Sequence, residues 1–410
     1  MKAIDKKKNI AAVTICAINY LAKAMLLRNT YMKYNSGESF FIVIVDKRDR
    51  EVEEQCKDYD IIWVEDLSIP KFEEMAFKFD IIELCTSIKP FVLIEMLKKY
   101  NNVYYIDPDI AVYSSFIALA EYLNSWPVIV TPHTCTPIHD GYRPDDIDFI
   151  RFGSYNLGFI GVSDDNRALE FLAWWSDRLF EFCYYEPQTG LAVDQKWIDL
   201  AIAIFPFIYI VRNLGCNVAF WNLHERNVEM INDEWMVNRN VKLIFFHFSS
   251  FNPERPELLA NKQTRFIGNC QNGLRELLVK YSFELQKLKN DYYTRKVYSY
   301  DYFDSGEYIT PILRRLLDNF VIEYGEIKNL FSNSSKLHSF AKEHRLLLKS
   351  TDKVGIANFK DIDKHRREQK IFGSFLKIAL WILGPNKYYY LMRYFAHISS
   401  IANQKDVFFK

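Results

Sequence analysis

Three observations predict an α/β fold, a mostly parallel sheet flanked by helices, over the first part of this 410-residue chain. Ala11–Cys16 and Phe40–Asp46 are short, β-branched apolar runs without polar alternation, the pattern of strands buried on both faces. Between them Leu21–Tyr34 reads as a helix, and strand–helix–strand order is how parallel strands are joined. The same alternation continues along the chain and stops near Arg255.

Asp60–Val64 is the third strand of the series. Lys71–Lys99 is helical, with Glu73 and Glu74 early and Lys98 and Lys99 late as the helix dipole favours, and Pro90 is expected to break it in two. A strand at 103–107 follows, then a helix near Phe116–Leu123 and a strand at Pro127–Thr131. The loop Pro132–Pro144 is rich in Pro, His, Thr and Asp, and long polar loops beyond strand ends are where α/β proteins hold ligands. Asn166–Cys183 has strong helical periodicity, so Trp174 and Trp175 are expected to pack and not to present a sugar platform. Val193–Phe205 is another helix, and Phe207–Val211, Val218–Trp221 and Leu243–Phe248 are expected strands. Past Arg255, Leu274–Leu288 and Ile312–Tyr324 are helical with no further buried strand series. The expected division is a sheet domain, 1–255, and a mainly helical accessory region, 256–410.

Composition narrows the class. Hydrophobic residues make up 49% and aromatics 16%, enough to bury a core without covalent staples. Lys+Arg and Asp+Glu are 52 each, so no dominant positive field favours nucleic acid, and an anionic ligand must meet a local basic site. Cys16, Cys56, Cys85, Cys135, Cys183, Cys216 and Cys270 are odd in number, scattered, and without C-x-x-C spacing. They are expected to be reduced thiols of a cytoplasmic protein, not a disulfide or zinc framework. The apolar stretch from Ile10 is interrupted by Asn19 and followed by Lys23, so no signal peptide is expected. No window reaches the roughly 18 uninterrupted apolar residues of a spanning helix.

The most informative segment is Val-Tyr-Tyr-Ile-Asp107-Pro-Asp109-Ile-Ala-Val. Two residues apart at a strand end, Asp107 and Asp109 point the same way, and such a carboxylate pair is costly unless a cation sits between them. Asp-Pro-Asp is equally ordinary turn chemistry, and taken alone the two readings are even. Four further segments carry chemistry. Lys89 lies 18 positions before Asp107, where a single helical lysine is normally solvated. Asn156-Leu-Gly158 offers an amide that both donates and accepts and a glycine that permits close ligand approach. Asp194-Gln195 opens a helix, where an acid is as often a cap as a ligand. His247 ends an apolar strand, and such a histidine is more often a satisfied core residue.

The order Lys, Asp-x-Asp, Asn-x-Gly, Asp-Gln, His-Phe-Ser resembles that of GT-A glycosyltransferases, most closely the retaining family 8 (glycogenin and lipopolysaccharide galactosyltransferase) type, over about residues 10 to 255. The resemblance implies that residues 1–255 are a Rossmann-like GT-A catalytic domain. It implies a metal-dependent hexosyltransferase in which Asp107, Asp109 and His247 hold Mn²⁺ or Mg²⁺, with Asp107 also approaching the nucleotide ribose. Lys89, Asp107, Asn156 and Gly158 would line the donor, a UDP-sugar by resemblance. Asp194 and Gln195 would stand beside the reacting carbon. Gln195 is a poor nucleophile, which favours front-face attack with retention, Asp194 orienting a hydroxyl and the loop His133–Arg143 covering the acceptor. The implied acceptor is a saccharide or lipid-linked saccharide, in surface polysaccharide or glycoconjugate assembly.

One departure stands out. The family's histidine motif continues to a glycine and then Lys-Pro-Trp, whereas this chain continues Ser249-Ser250-Phe-Asn-Pro253. The diphosphate-gripping lysine is absent there, leaving Lys89, Arg255 or Lys262 to take its role. A sugar nucleotidyltransferase is the alternative within the fold, though Ala11–Tyr20 lacks the Gly-rich loop such enzymes open with. A non-catalytic membrane-surface scaffold is the alternative outside it. Residues 371–395 mix bulky apolar, aromatic and basic side chains, the composition of a peripheral contact at the inner face of a membrane, or of a segment packed on the catalytic domain.

Overall fold

In the computed structural model, which describes residues 8–260, 262–266, 272–348 and 366–409, the first apolar run is strand β1 (Lys8–Cys16). It leads through α1 (Leu21–Tyr34) to β2 (Ser39–Ile44), which pairs parallel with it. Helix α2 (Arg50–Gln55) starts on Asp49, whose carboxylate accepts the Glu51 and Val52 N–H groups, and returns the chain to β3 (Ile61–Trp63), parallel to β2.

The expected helix over 71–99 is three helices: α3 (Phe72–Lys78), α4 (Ile81–Ser87) and α5 (Lys89–Leu97). Pro90 does not break a helix; it sits in the first turn of α5, where its missing N–H removes no bond. β4 (Tyr100–Ile106) then pairs parallel with β1, followed by β5 (Ile110–Val112), α6 (Ile117–Leu123) and β6 (Val128–Pro132). Helix α7 (Asp146–Phe152), opened by an Asp145/Asp148 capping box, precedes β7 (Tyr155–Ser163). Helix α8 (Asn166–Phe182) buries Ala168, Phe171, Leu172, Trp175 and Leu179 at helical spacing, so Trp175 packs as expected. A small ladder of β8 (Tyr185–Glu186) and β9 (Leu191–Ala192) leads to α9 (Lys196–Ile204) and β10 (Ile208–Ile210).

The resulting seven-stranded sheet has the order β10-β6-β7-β4-β1-β2-β3. All its pairings are parallel except those of β7, which is antiparallel to both β4 and β6. The loop and α7 after β6 keep the chain at the edge where the parallel strands end, so β7 enters there. That edge gathers the ends of β4 and β6 and the start of β7.

Three further strands, β11 (Val228–Ile231), β12 (Glu234–Val237) and β13 (Val241–Lys242), form an antiparallel sheet. β14 (Phe245–His247) runs antiparallel to β5, with His247 opposite Ile110. Val218–Trp221, expected as a strand, makes a single bridge, Val218 to Phe246. The Asn222 amide explains the failure: it accepts the Ala219 N–H at 2.9 Å and donates to the Asn217 carbonyl at 2.9 Å, closing a turn in place of a ladder.

By compactness, residues 1–70 with 81–299 form one unit and 71–80 with 300–410 another. Helices α10 (Asn272–Lys287) and α11 (Asn290–Thr294), beyond the change of pattern at Arg255, belong to the sheet unit, where Tyr281 stacks on Phe248 with centroids 3.6 Å apart. The second unit takes in α3 with α12 (Pro311–Tyr324), α13 (Lys336–Glu343) and α14 (Arg366–Ile398), and a two-residue ladder between Tyr308–Ile309 and Leu347–Leu348. Within it, buried Arg314 donates to the carbonyls of Ala76, Phe77, Phe79 and Tyr300 and pairs with Asp301 at 3.0 Å. α14 is broken at Gly384 (φ 70°) before Pro385, and none of its side chains is buried. Among the described residues six cysteines are all free thiols; Cys270 lies outside them.

Candidate active site

Asp107 follows the last residue of β4, and its N–H donates to the Gly158 carbonyl on β7 at 2.8 Å. The Ile110 N–H returns to the Asp107 carbonyl at 3.1 Å, so Asp107-Pro-Asp109 is a turn. The turn aims both carboxylates at the sheet edge, so closing a turn and presenting paired carboxylates are compatible here. The β14–β5 ladder supplies the third group: the Phe248 N–H donates to the Asp109 carbonyl at 2.8 Å, locking the strand in register. His247 Nε2 then lies 3.0 Å from Asp109 Oδ1 and 3.7 Å from Asp107 Oδ2. One ligand atom from each of Asp107, Asp109 and His247 falls within 4.8 Å of the others. Two carboxylates and one imidazole suit a hard or borderline divalent cation such as Mn²⁺ or Mg²⁺.

The electrostatics fit that use. Burial opposes charge on both partners, yet attraction to Asp109 raises the His247 pKa and attraction to His247 lowers that of Asp109. The two carboxylates thus stabilise positive charge beside them, here on His247. Gly158 floors it: a Cβ there would lie 2.6 Å from His247 Cε1 and 2.8 Å from Asn156 Oδ1. The Trp221 ring meets the His247 ring edge-on at 5.1 Å and walls one side.

Lys89 lies on the other side of Asp107. It is 1% exposed, at the first turn of α5, with Nζ 2.7 Å from Asp194 Oδ2 and 3.5 Å from Asp107 Oδ1. The ammonium also donates to the Leu157 carbonyl at 3.0 Å. Tyr105 donates its hydroxyl to Asp107 Oδ1 at 2.5 Å. Burial pulls the Lys89 pKa down, but Asp107 and Asp194 outweigh it and raise it; burial raises that of Asp194 against the pull of Lys89. Asp107 is therefore shared, one oxygen turned to Lys89 and Tyr105, the other to His247.

Asn156 also reaches this cluster, its Oδ1 accepting the Gly158 N–H at 3.1 Å and its Nδ2 facing His133 Nε2 at 3.2 Å. Burial lowers the His133 pKa to about 3, so that ring is neutral. Gln195 is turned elsewhere: its amide donates to the Phe152 carbonyl at 2.8 Å, while the neighbouring Asp194 carbonyl takes the Trp175 indole N–H at 3.3 Å. The structure thus brings Lys89, Asp107, Asp109, Asn156, Gly158, Asp194 and His247 together and directs the Gln195 side chain to α7. Of the cations considered for a diphosphate, Lys89 is enclosed by the carboxylates and Arg255 pairs with Glu257 at 3.3 Å.

Sequence reasoning missed Asn217, Tyr105, Trp221 and Lys23. Tyr105 carried a signal, since it precedes Asp107 by two on the same strand face. Lys23, stacked over the Tyr20 ring at 3.9 Å, adds to the positive field at Asp109 from α1. Trp221 lies in Val218–Trp221, which reads as a strand and folds as a turn, and Asn217 immediately precedes it, so pattern alone gave no pointer.

No family model matches the chain. It is 24% identical over 248 residues to the uncharacterized protein YfnF of Bacillus subtilis (strain 168), covering 59% of this chain and 81% of that one. It is 22% identical over 245 residues to YfnD of the same organism, covering 58% and 76%. Among solved structures, the galactosyltransferase LgtC in complex with donor and acceptor sugar analogues is similar at TM-score 0.42 and 12% identity, covering 68% of this chain and 95% of that one. The glycosyltransferase GlyE of Streptococcus pneumoniae TIGR4 is similar at TM-score 0.41 and 13% identity, covering 73% and 67%.

Proposed function

We propose that this protein is a metal-dependent GT-A glycosyltransferase that moves a sugar from a nucleotide-sugar donor, a UDP-sugar by resemblance, to a saccharide or lipid-linked saccharide. The observation that carries the reading is the convergence of Asp107, Asp109 and His247 at one sheet edge, with Asp194 and Lys89 directly behind Asp107. A divalent cation held by Asp107, Asp109 and His247 would neutralise charge on a departing nucleoside diphosphate.

The chain's own residues do the rest. Tyr105 and Lys89 hold one oxygen of Asp107, which leaves the other to the cation side. Asn156 and Gly158 shape the floor, where an added side chain would strike His247. Lys23 supplies positive field at Asp109 from the α1 side. Asp194, held by Lys89 and by the Trp175 bond to its backbone carbonyl, would orient a sugar or acceptor hydroxyl in front-face, retaining transfer. Gln195, turned to Phe152, takes part only if the α7 side rearranges.

The test is a thermal-shift screen of nucleoside diphosphates with and without Mn²⁺. Metal-dependent stabilisation by one nucleotide is the expected result; no stabilisation by any pair removes the assignment.

Peripheral membrane contact is the second part of the proposal, and α14 supports it. Among the described residues no helix is long and apolar enough to cross a membrane. Yet α14 buries none of its side chains, exposes Phe372, Phe375, Trp381, Tyr390 and Tyr394, and carries six Lys and Arg against one acid, Glu368. Exposed aromatics with basic residues are the chemistry of an anionic lipid interface. We place the enzyme in the cytoplasm at the inner membrane face, where lipid-linked acceptors are held, with residues 300–410 as its accessory region.

A further inference from the structure

We infer that Asn217 is the positioning residue of the metal centre, fixing which imidazole nitrogen of His247 the cation meets. The inference rests on the metal reading proposed above.

A backbone N–H cannot be reversed, and that of Gly158 donates to Asn156 Oδ1 at 3.1 Å, which fixes the sense of the Asn156 amide. With Asn156 Oδ1 an acceptor, the Asn217 atom 2.9 Å from it must be the donor Nδ2, and the same nitrogen donates to Thr131 Oγ1 at 2.9 Å. The other end of Asn217 is therefore an oxygen, and it faces His247 Nδ1 at 3.2 Å. An oxygen there requires a proton on Nδ1. Nε2, turned to Asp107 and Asp109, is then the nitrogen whose lone pair serves a cation.

The surroundings leave Asn217 little freedom. It is fully buried, and its backbone is left-handed (φ 53°), a conformation asparagine tolerates better than most residues. Asn222 holds its carbonyl at 2.9 Å. The His247 ring lies between Gly158 and Trp221, and its orientation there is held by the Asn217 contact at Nδ1. A chain of fixed donors thus runs from a backbone amide on β7 to the metal-facing atom of His247.

Asn217→Gly keeps the left-handed backbone and removes the amide, whereas Asn217→Asp keeps an acceptor opposite Nδ1 and, with its second oxygen protonated, a donor to Asn156 Oδ1. Binding of Mn²⁺ alone is measured by electron paramagnetic resonance of the free ion. The expected result is a rise of about 10- to 100-fold in the Mn²⁺ dissociation constant for Asn217→Gly, largely restored in Asn217→Asp. A folded Asn217→Gly protein that binds Mn²⁺ as tightly as the parent overturns the inference. Should that variant not fold, imidazole nitrogen NMR of the unaltered protein loaded with Zn²⁺ decides: a proton on His247 Nδ1 is expected, and metal on Nδ1 overturns the inference. A parent protein that binds no divalent ion removes the metal reading itself, a separate outcome.

Discussion

The sheet edge and the helix Arg366–Ile398 invert the ordinary partition of side chains in opposite ways. At the edge, Lys89, Asp194 and His247 are charged or polar groups taken out of water. Along the helix, large apolar groups stay in it, Trp381 at 86% exposure. Buried polar groups and exposed apolar patches are the informative departures, because each is costly without a partner. The edge is nearly self-sufficient, since each of its buried charges finds an opposite charge or amide. The helix leaves its large apolar side chains exposed along its length.

The largest expected effect breaks the edge at its ligands. Asp109→Asn and His247→Ala should each lower sugar transfer by about 10²–10³-fold or more and abolish Mn²⁺-dependent nucleotide binding. Full activity in either variant would sink the assignment. Next, Asp194→Asn strips Lys89 of its nearest carboxylate in a dry site. Urea unfolding should report a loss of about 3–5 kcal/mol, which Lys89→Met in the same chain should partly recover. A loss below about 1 kcal/mol would mean that the pair is not buried in solution.

Gly158→Ala sharpens the packing claim. Its Cβ would meet the His247 ring and Asn156, so a cost of about 1–3 kcal/mol is expected in the same assay, together with weaker Mn²⁺ binding. An unchanged midpoint would show that the floor can yield. The smallest effect on folding belongs to the helix. Phe375→Ser with Trp381→Ser should leave the unfolding free energy within about 0.5 kcal/mol, yet reduce flotation with vesicles containing anionic lipid. Equal flotation of parent and variant would remove the membrane contact.

His133 offers a pH test of the edge's dryness. Its folded pKa, lowered by burial from 6.5 to about 3, lies below that of the unfolded chain. Between those values the unfolded state binds the extra proton, so stability present above pH 6.5 is lost as pH falls toward 3. His133→Gln should flatten that part of the profile. A profile as steep as the parent's would assign the loss to other groups.

Much of this was legible in the amino-acid order alone. Apolar runs without alternation specify strands buried on both faces, and the helix periods between them specify crossovers, because burial period and backbone geometry are local properties. Asp107 and Asp109 come together for a local reason too, though a different one from strand alternation: Asp-Pro-Asp closes a turn between β4 and β5. Pro90 misled because proline's effect depends on whether it falls within a helix or in its first turn, and α5 begins one residue before it. Val218–Trp221 misled because Asn222 closes a turn with its own side chain, a competition that apolar content does not register. Only the tertiary structure decided that β7 runs against its neighbours, that His247 lies opposite Ile110 some 140 positions away, and that Asn217 holds its far nitrogen. Those choices rest on long-range pairing and on the direction of individual hydrogen bonds, neither of which has a sequence period.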